Sequence, residues 1–152
     1  MIEDKLRELS IDLPTPPSPA GSYIPVVTTG NLAFVSGQIP MKEGKVVFEG
    51  KVPNEQSLDA ARDAAKICII NGLAQLKANL GSLDKITKFV KISGFVNSNP
   101  EFTEQPKVIN AASDLLVAIF GDMAKHSRIA VGVASLPLNA TVEIDMVVEF
   151  ST

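Results

Sequence analysis

Two charged residues near the C-terminus, Arg128 and Glu143, have the types and spacing for acid–base chemistry on a small anion. An arginine guanidinium can bind a carboxylate through two parallel hydrogen bonds, and a glutamate can move a proton at a bound ligand. The residues that alternate with the arginine, Ala130, Gly132 and Ala134, are small and leave room beside it. We therefore predict a small-molecule site with Arg128 as its anion anchor and Glu143 as its chemical group. The alternative is that Arg128 is a surface charge at a strand end and that Glu143 is solvated.

Both residues lie in segments with the pattern of β-strands, on either side of a turn at 136–139. In the second segment apolar residues occupy alternate positions from Val142 to Phe150, and Glu143 falls among the polar residues between them. This period places the two sets on opposite faces of a sheet. We expect the two strands to pair as a hairpin and to form the floor of the site.

The remaining segments predict the helices and strands that position these residues. The predicted helices are 2–9, 57–80 and 106–120, and the predicted strands are 23–28, 32–38, 86–97 and a short one near 46–48. Ser57 can cap the longest helix, and Gly81 can end it. We expect one domain covering residues 1–152, in which residues 1–19 form an N-terminal helix and a proline-rich strap. We expect the strap to hold the N-terminal helix against the rest of the domain. The alternative is that the proline-rich segment is a ligand for a proline-binding domain of the SH3 type.

The main elements follow the order β-β-α-β-α-β-β, which predicts an α+β fold. Two amphipathic helices can cover only one face of a single sheet. The other face still carries apolar residues, and a monomer rarely exposes a large apolar patch. We therefore expect an oligomer that is closed by packing sheets against each other, and a symmetric ring would repeat any site between subunits.

Composition excludes several classes of function. The chain has 152 residues, a net charge of -3, no Trp and one Tyr, which argues against a nucleic-acid partner. The single cysteine, Cys68, and the single histidine, His126, exclude an internal disulfide and a Cys/His zinc site within one chain. No apolar run is long enough to span a membrane, and the N-terminus does not resemble a secretory signal, so we expect a cytoplasmic protein.

Three stretches together resemble one family. They are AGSY at 20–23, GNLAFVSGQIP at 30–40, and the run from Arg128 through Leu136-Pro137 to the VEI segment at 142–144. This combination is similar to the Rid family of reactive intermediate deaminases, also called the YjgF family or L-PSP endoribonucleases. The resemblance covers the chain from about residue 20 to its C-terminus.

The resemblance implies a chorismate-mutase-like fold, in which a mixed β-sheet carries two helices on one face and the sheets pack into a trimeric barrel. It implies a homotrimer with sites in the clefts between subunits, and hydrolysis of 2-aminoacrylate-type enamines and imines without a metal or organic cofactor. Arg128 matches the arginine that binds the substrate carboxylate, the backbone N–H of Ala130 assists it, and Glu143 matches the glutamate that positions water. The further pocket positions that the resemblance implies are Tyr23, Ser36 and Asn110.

The sequence departs from the family around the arginine, and this leaves the activity open. Deaminases of the family tend to have Pro-Ala-Arg-Ser there, whereas this chain has His126-Ser127-Arg128-Ile129. His126 can donate a proton near neutral pH, or it can be a plain loop residue. A non-catalytic trimer that binds small carboxylates, or that acts as a regulatory surface, is the second hypothesis. An endoribonuclease is the third, which the acidic composition opposes.

Overall fold

The computed structural model describes residues 1–16 and 22–152, and its centre is a mixed five-stranded β-sheet. The helices are α1 (Ile2–Glu8), α2 (Leu58–Leu80) and α3 (Gln105–Phe120). The strands are β1 (Val26–Thr29), β2 (Leu32–Gln38), β3 (Met41–Lys42), β4 (Lys45–Val46), β5 (Ile86–Asn97), β6 (Ser127–Val133) and β7 (Val142–Phe150). Residues 17–19 of the predicted strap and residues 20–21 of the family-like stretch lie outside the described residues.

Helix α2 has the ends that its sequence predicts. The hydroxyl of Ser57 accepts a hydrogen bond from the backbone N–H of Ala60 at 3.0 Å, which satisfies a donor at the first turn. Gly81 follows the last helical residue with a φ of 87°, a conformation that glycine adopts without steric cost. Helix α1 lies near the C-terminal end of α2, where Glu3 pairs with Lys77 at 2.8 Å, and Leu6 of α1 is buried.

The sheet has the strand order β1-β2-β7-β5-β6. Strand β5 is antiparallel to β7 and parallel to β6, and α3 forms the crossover between the two parallel strands. The predicted hairpin of β6 and β7 is therefore wrong, because β5 lies between them. The 134–141 connection leaves the sheet instead, and the N–H of Thr141 donates to the carbonyl of Phe48 at 3.1 Å.

The two faces of the sheet differ in how they are covered. As predicted, α2 and α3 pack on one face, where the alternate residues of β7 from Val142 to Val148 are buried. The opposite face, which we call the open face, carries Val27, Phe34, Ile129 and Val131, each exposing between 40 and 50% of its surface. The described chain thus leaves a row of apolar side chains without cover.

Candidate functional site

Arg128 lies near the start of β6 and points toward the helix-covered side of the sheet. It is aligned with the buried Ile92 of β5, so the two side chains share a face. Its Nη1 donates to the hydroxyl oxygen of Ser113 at 3.0 Å, and its Nη2 donates to the carbonyl oxygen of Pro106 at 3.3 Å. Both partners belong to α3. These bonds use two of the five N–H donors of the guanidinium and leave three for a ligand.

His126 extends this contact into a chain of hydrogen bonds. Its Nε2 lies 2.9 Å from the hydroxyl oxygen of Ser113, and its Nδ1 lies 2.6 Å from the carbonyl oxygen of Ala124. Burial lowers the pKa of His126, the hydrogen bond to Ala124 opposes that shift, and the charge of Arg128 lowers the pKa further. His126 lies in the loop before β6, as the loop prediction places it, and its half-buried imidazole is a packed hydrogen-bonding group there.

Two of the other predicted site residues accompany Arg128. Asn110 is exposed on α3, and helical spacing places it one turn from both Pro106 and Ser113. Ala130 lies on the edge strand β6. The carbonyl of Val133 accepts from the N–H of Ser98 on the β5 side at 3.3 Å, so alternation along the strand turns the N–H of Ala130 to the free edge. An anion that lies beside this edge could accept a hydrogen bond from that N–H.

Glu143 lies on the open face, in β7. It is aligned with Phe95 of β5, and its carboxyl group covers Gly37 of β2 so closely that a Cβ at position 37 would be 2.4 Å from Oε2. Burial raises the pKa of this carboxyl group, and the charge of Asp145 raises it further. A raised pKa makes this carboxyl group a better proton acceptor than an ordinary glutamate, which suits it to acid–base chemistry.

Ser36 and Tyr23 lie on the β1–β2 side of the sheet, and Ser36 precedes Gly37, the residue that Glu143 covers. The hydroxyl of Ser36 donates to the carbonyl of Ile24 at 3.1 Å, which ties down the segment that enters β1. Ser36 and Gly37 together face the single residue Asp145, which is a β-bulge. Tyr23 precedes β1 and exposes 59% of its surface, so it is free to contact a ligand or a neighbouring chain.

The predicted site residues therefore form two groups rather than one. Arg128, Asn110 and Ala130 lie at the α3–β6 edge, whereas Glu143 and Ser36 lie at the β2–β7 side. Two strand spacings separate β6 from β7, roughly 10 Å, and Arg128 is three residues along the sheet from the row of Glu143, roughly 10 Å more. The two side chains also leave the sheet on opposite faces. The prediction that one strand pair carries both as a common floor is wrong.

Two hollows of the chain lie apart from both charged residues. They have volumes of about 330 and 310 Å³ and lie near residues 98–105, and neither is lined by Arg128 or Glu143. The second is lined by Gly132 and Ala134, so the small residues of this segment do leave room, although not beside the arginine. Among residues 1–16 and 22–152, no cluster of three or more His, Cys, Asp or Glu could hold a metal ion. Burial raises the pKa of the Cys68 thiol, which disfavours a reactive thiolate.

Neither Ser113 nor Gly37 is identified from the sequence as a residue of this arrangement. The hydrogen bond that joins His126 to Ser113 beside Arg128 is not identified from it either. Ser113 follows Asn110 by three positions and lies off the buried stripe of α3. Its position therefore gave a signal that its hydroxyl group could bind a polar side chain of a neighbouring strand. Gly37 had a weaker signal, since glycine in a strand marks a bulge or the close approach of another group.

Comparison with known proteins gives consistent matches over nearly the whole chain. A family model described as "YjgF/chorismate_mutase-like, putative endoribonuclease" matches residues 3–150. Protein TCP17 of Trypanosoma cruzi is 40% identical over 96% of this chain and 92% of its own length. A 2-iminobutanoate/2-iminopropanoate deaminase of Dermatophagoides farinae is 31% identical over 91% of this chain and 93% of its own length.

A solved structure agrees with the fold described above. The crystal structure of Atu1372 of Agrobacterium tumefaciens, a protein with unknown function, is 47% identical and has a TM-score of 0.93. The match covers 99% of this chain and 92% of the other. In the described ranges no helix is both long and apolar enough to cross a membrane.

Proposed function

The chain belongs to the YjgF/Rid family, and on that premise we propose that it hydrolyses reactive enamines and imines of the 2-aminoacrylate type to 2-ketoacids and ammonia. The relative that is named a 2-iminobutanoate/2-iminopropanoate deaminase supports this class of reaction. The observation that carries the proposal is Glu143, a carboxyl group with a raised pKa that is seated over Gly37 on the open face.

Arg128 supplies the anchor for the substrate. Its guanidinium is half-buried and already held from the α3 side by Ser113 and Pro106. A carboxylate that binds the remaining N–H donors of Arg128 accepts charge-assisted hydrogen bonds at a position that is partly shielded from water. The N–H of Ala130 and the amide of Asn110 complete a polar rim, so the group that carries the reactive carbon is oriented as well as bound.

Glu143 supplies the proton transfers. The enamine first tautomerises to its imine, and the ionised carboxylate of Glu143 takes a proton from a water molecule as the water oxygen bonds to the imine carbon. The tetrahedral product then receives a proton on nitrogen from the carboxyl group. Glu143 then takes the proton of the hydroxyl group and passes it to the amine nitrogen; the carbon–nitrogen bond breaks, ammonia leaves, and the carbon–oxygen double bond of the ketone forms. Water is consumed, no electron is transferred, and Glu143 returns to its starting state.

A second copy of the chain brings the two groups together in this proposal. Arg128 and Glu143 lie on opposite faces of one sheet, so they cannot meet on one small ligand within a subunit. The exposed apolar residues of the open face, among them Phe34 and Ile129, favour burial against another subunit. We propose a homotrimer whose clefts each combine the Arg128 edge of one subunit with the Glu143 face of the next.

A non-catalytic trimer that binds small carboxylates is the second candidate. It is favoured by the residues around Arg128, where histidine and isoleucine stand in place of the proline and serine that the deaminases tend to have. The endoribonuclease of the family description is less well supported here. The net charge is -3, and Glu143, Asp145 and Glu149 line one strand of the open face, where they would repel a phosphate backbone.

Replacement of Arg128 tests the proposal directly. With imines generated by an amino-acid oxidase, we expect Arg128→Ala to abolish turnover while the assembly persists, and Arg128→Lys to retain little activity because it lacks the fork. Arg62→Ala is a matched control, since Arg62 also donates to a backbone carbonyl of α3, that of Lys107. Unchanged turnover of purified Arg128→Ala would refute the role of Arg128. Binding of pyruvate through Arg128 without any imine turnover would establish the carboxylate-binding alternative.

A further inference from the structure

The hydrogen-bond chain from Arg128 through Ser113 to His126 has a fixed direction. A guanidinium has no acceptor, so the oxygen of Ser113 must accept from Arg128. The carbonyl of Ala124 can only accept, so Nδ1 of His126 must carry a hydrogen. In a neutral imidazole the other nitrogen is then an acceptor, and Nε2 receives the hydroxyl hydrogen of Ser113. The hydrogens on Nη1 of Arg128, on the hydroxyl of Ser113 and on Nδ1 of His126 that form this chain are thereby each paired with an acceptor.

We propose that Ser113 and His126 are positioning residues that hold Arg128 in the orientation in which it binds the substrate carboxylate. The inference rests on the proposed function in one respect, that Arg128 binds a carboxylate. His126 keeps the serine hydrogen pointed away from the guanidinium, so that oxygen lone pairs face Arg128. Ser113 and the carbonyl of Pro106 then hold the two Nη atoms against α3, and three donors of the guanidinium are left for a carboxylate.

The charges around His126 favour its neutral form. Burial lowers its pKa, and the neighbouring positive charge of Arg128 acts in the same direction. Asp114 of α3, Asp122 and Lys125 of the turn before β6, and Lys91 of β5 are exposed to solvent. Of these, Lys125 and Asp122 pair with each other at 3.3 Å. An acceptor at Nε2 is therefore retained at neutral pH, which is the state that orients Ser113.

This arrangement accounts for a departure from the family pattern. The family proline two residues before the arginine is replaced here by His126, and proline could not make either of the bonds that the imidazole makes. In this chain the imidazole therefore gives the arginine, through Ser113, a side-chain support that a proline at position 126 could not give.

Ser113→Ala tests the proposal, with pyruvate as the binding probe and the oxidase-generated imine as the substrate. The loss of one hydrogen bond to a charged group should weaken pyruvate binding and raise KM about tenfold, while kcat changes less than about twofold. Ser113→Thr, which keeps the hydroxyl group, should restore both values to within about threefold. His126→Ala should change KM in the same direction, because the serine hydrogen is then free to turn toward Arg128.

Ser127→Ala is the matched control. Ser127 is the residue before Arg128, but its hydroxyl donates to the carbonyl of Val90 instead, so its loss should leave pyruvate affinity unchanged. The proposal is overturned if Ser113→Ala binds pyruvate like the native protein, if the threonine variant gives no rescue, or if Ser127→Ala is equally affected. A native protein that binds pyruvate without hydrolysing imines would contradict the proposed function alone, since the affinities still test the role of Ser113. A native protein that binds no carboxylate would overturn both.

Discussion

Replacing Gly37 with alanine moves the carboxyl group of Glu143 without removing it. An added Cβ would lie 2.4 Å from Oε2 and 2.9 Å from Cδ, whereas ordinary contacts begin near 3.4 Å. The carboxyl group must therefore shift by about 1 Å, and a misplacement of that size can cost about 100-fold in rate. Gly37 does not have a positive φ, so alanine fits the backbone and the change acts on Glu143.

Steady-state kinetics on the oxidase-generated imine would measure this effect. We expect Gly37→Ala to lower kcat by about 100-fold and to leave KM nearly unchanged, because Arg128 is not touched. We expect the carboxyl group, once displaced from its position over Gly37, to lose part of the burial that raises its pKa. The acid limb of the pH profile for kcat should therefore move to lower pH.

A double-mutant cycle separates this effect from general damage. In a Glu143→Gln background, Gly37→Ala should cause little further loss, because two residues that act through one contact are not additive. The reasoning is refuted if Gly37→Ala turns over at close to the native rate. It is also refuted if the alanine costs as much in the Glu143→Gln background as in the native chain.

Two further predictions concern Glu143 and the open face. Glu143→Gln should lower kcat by about 10²–10⁴-fold. The same substitution should also raise the thermal unfolding midpoint at neutral pH, measured by calorimetry. The reason is that the pKa of Glu143 is raised in the folded protein, so its ionised carboxylate destabilises the fold. Below the ordinary pKa of glutamate the carboxyl group is protonated in both the folded and the unfolded protein, and the substitution should then give no gain in the midpoint. Ile129→Glu should dissociate the proposed homotrimer to the 16.2 kDa chain in sedimentation experiments. The control is Val117→Glu, at an exposed position of α3, which should leave the homotrimer intact. A homotrimer that survives Ile129→Glu would exclude the open face as the interface.

The elements that the sequence predicts well are those whose signals are local. Ser57 and Gly81 fix the ends of α2 through contacts within one turn of each residue. The alternation in β7 correctly separates the buried Val142 and Ile144 from Glu143, because the period of a strand does not depend on its neighbours. These features follow from the chain within a few residues of each position.

The strand order could not be predicted in this way. The turn at 136–139 resembles a hairpin turn, and Leu138 and Asn139 have the positive φ values that such turns often use. The connection nevertheless passes beside residues 48–50, where the N–H of Gly50 donates to the carbonyl of Asn139 at 2.9 Å. The strand that lies between β6 and β7 is β5, and its place is set by the crossover through α3. No residue within the turn indicates that another strand separates β6 from β7.

The small residues beside Arg128 show how this error changed the interpretation of the site. A floor of alanine and glycine predicts room for a ligand when a strand is read alone. In the fold α3 takes up part of that room: a Cβ on Gly132 would lie 2.7 Å from Nε2 of Gln105, and one on Gly94 of the neighbouring strand would lie 2.5 Å from Cδ1 of Ile109. The room that remains is the hollow of about 310 Å³ beside Gly132 and Ala134, which Arg128 does not line. Small residues here permit a close helix, and the close helix is what brings Ser113 to the guanidinium. We therefore expect a substrate bound by Arg128 to lie beside the free edge of β6, where a second subunit of the proposed homotrimer can supply the carboxyl group.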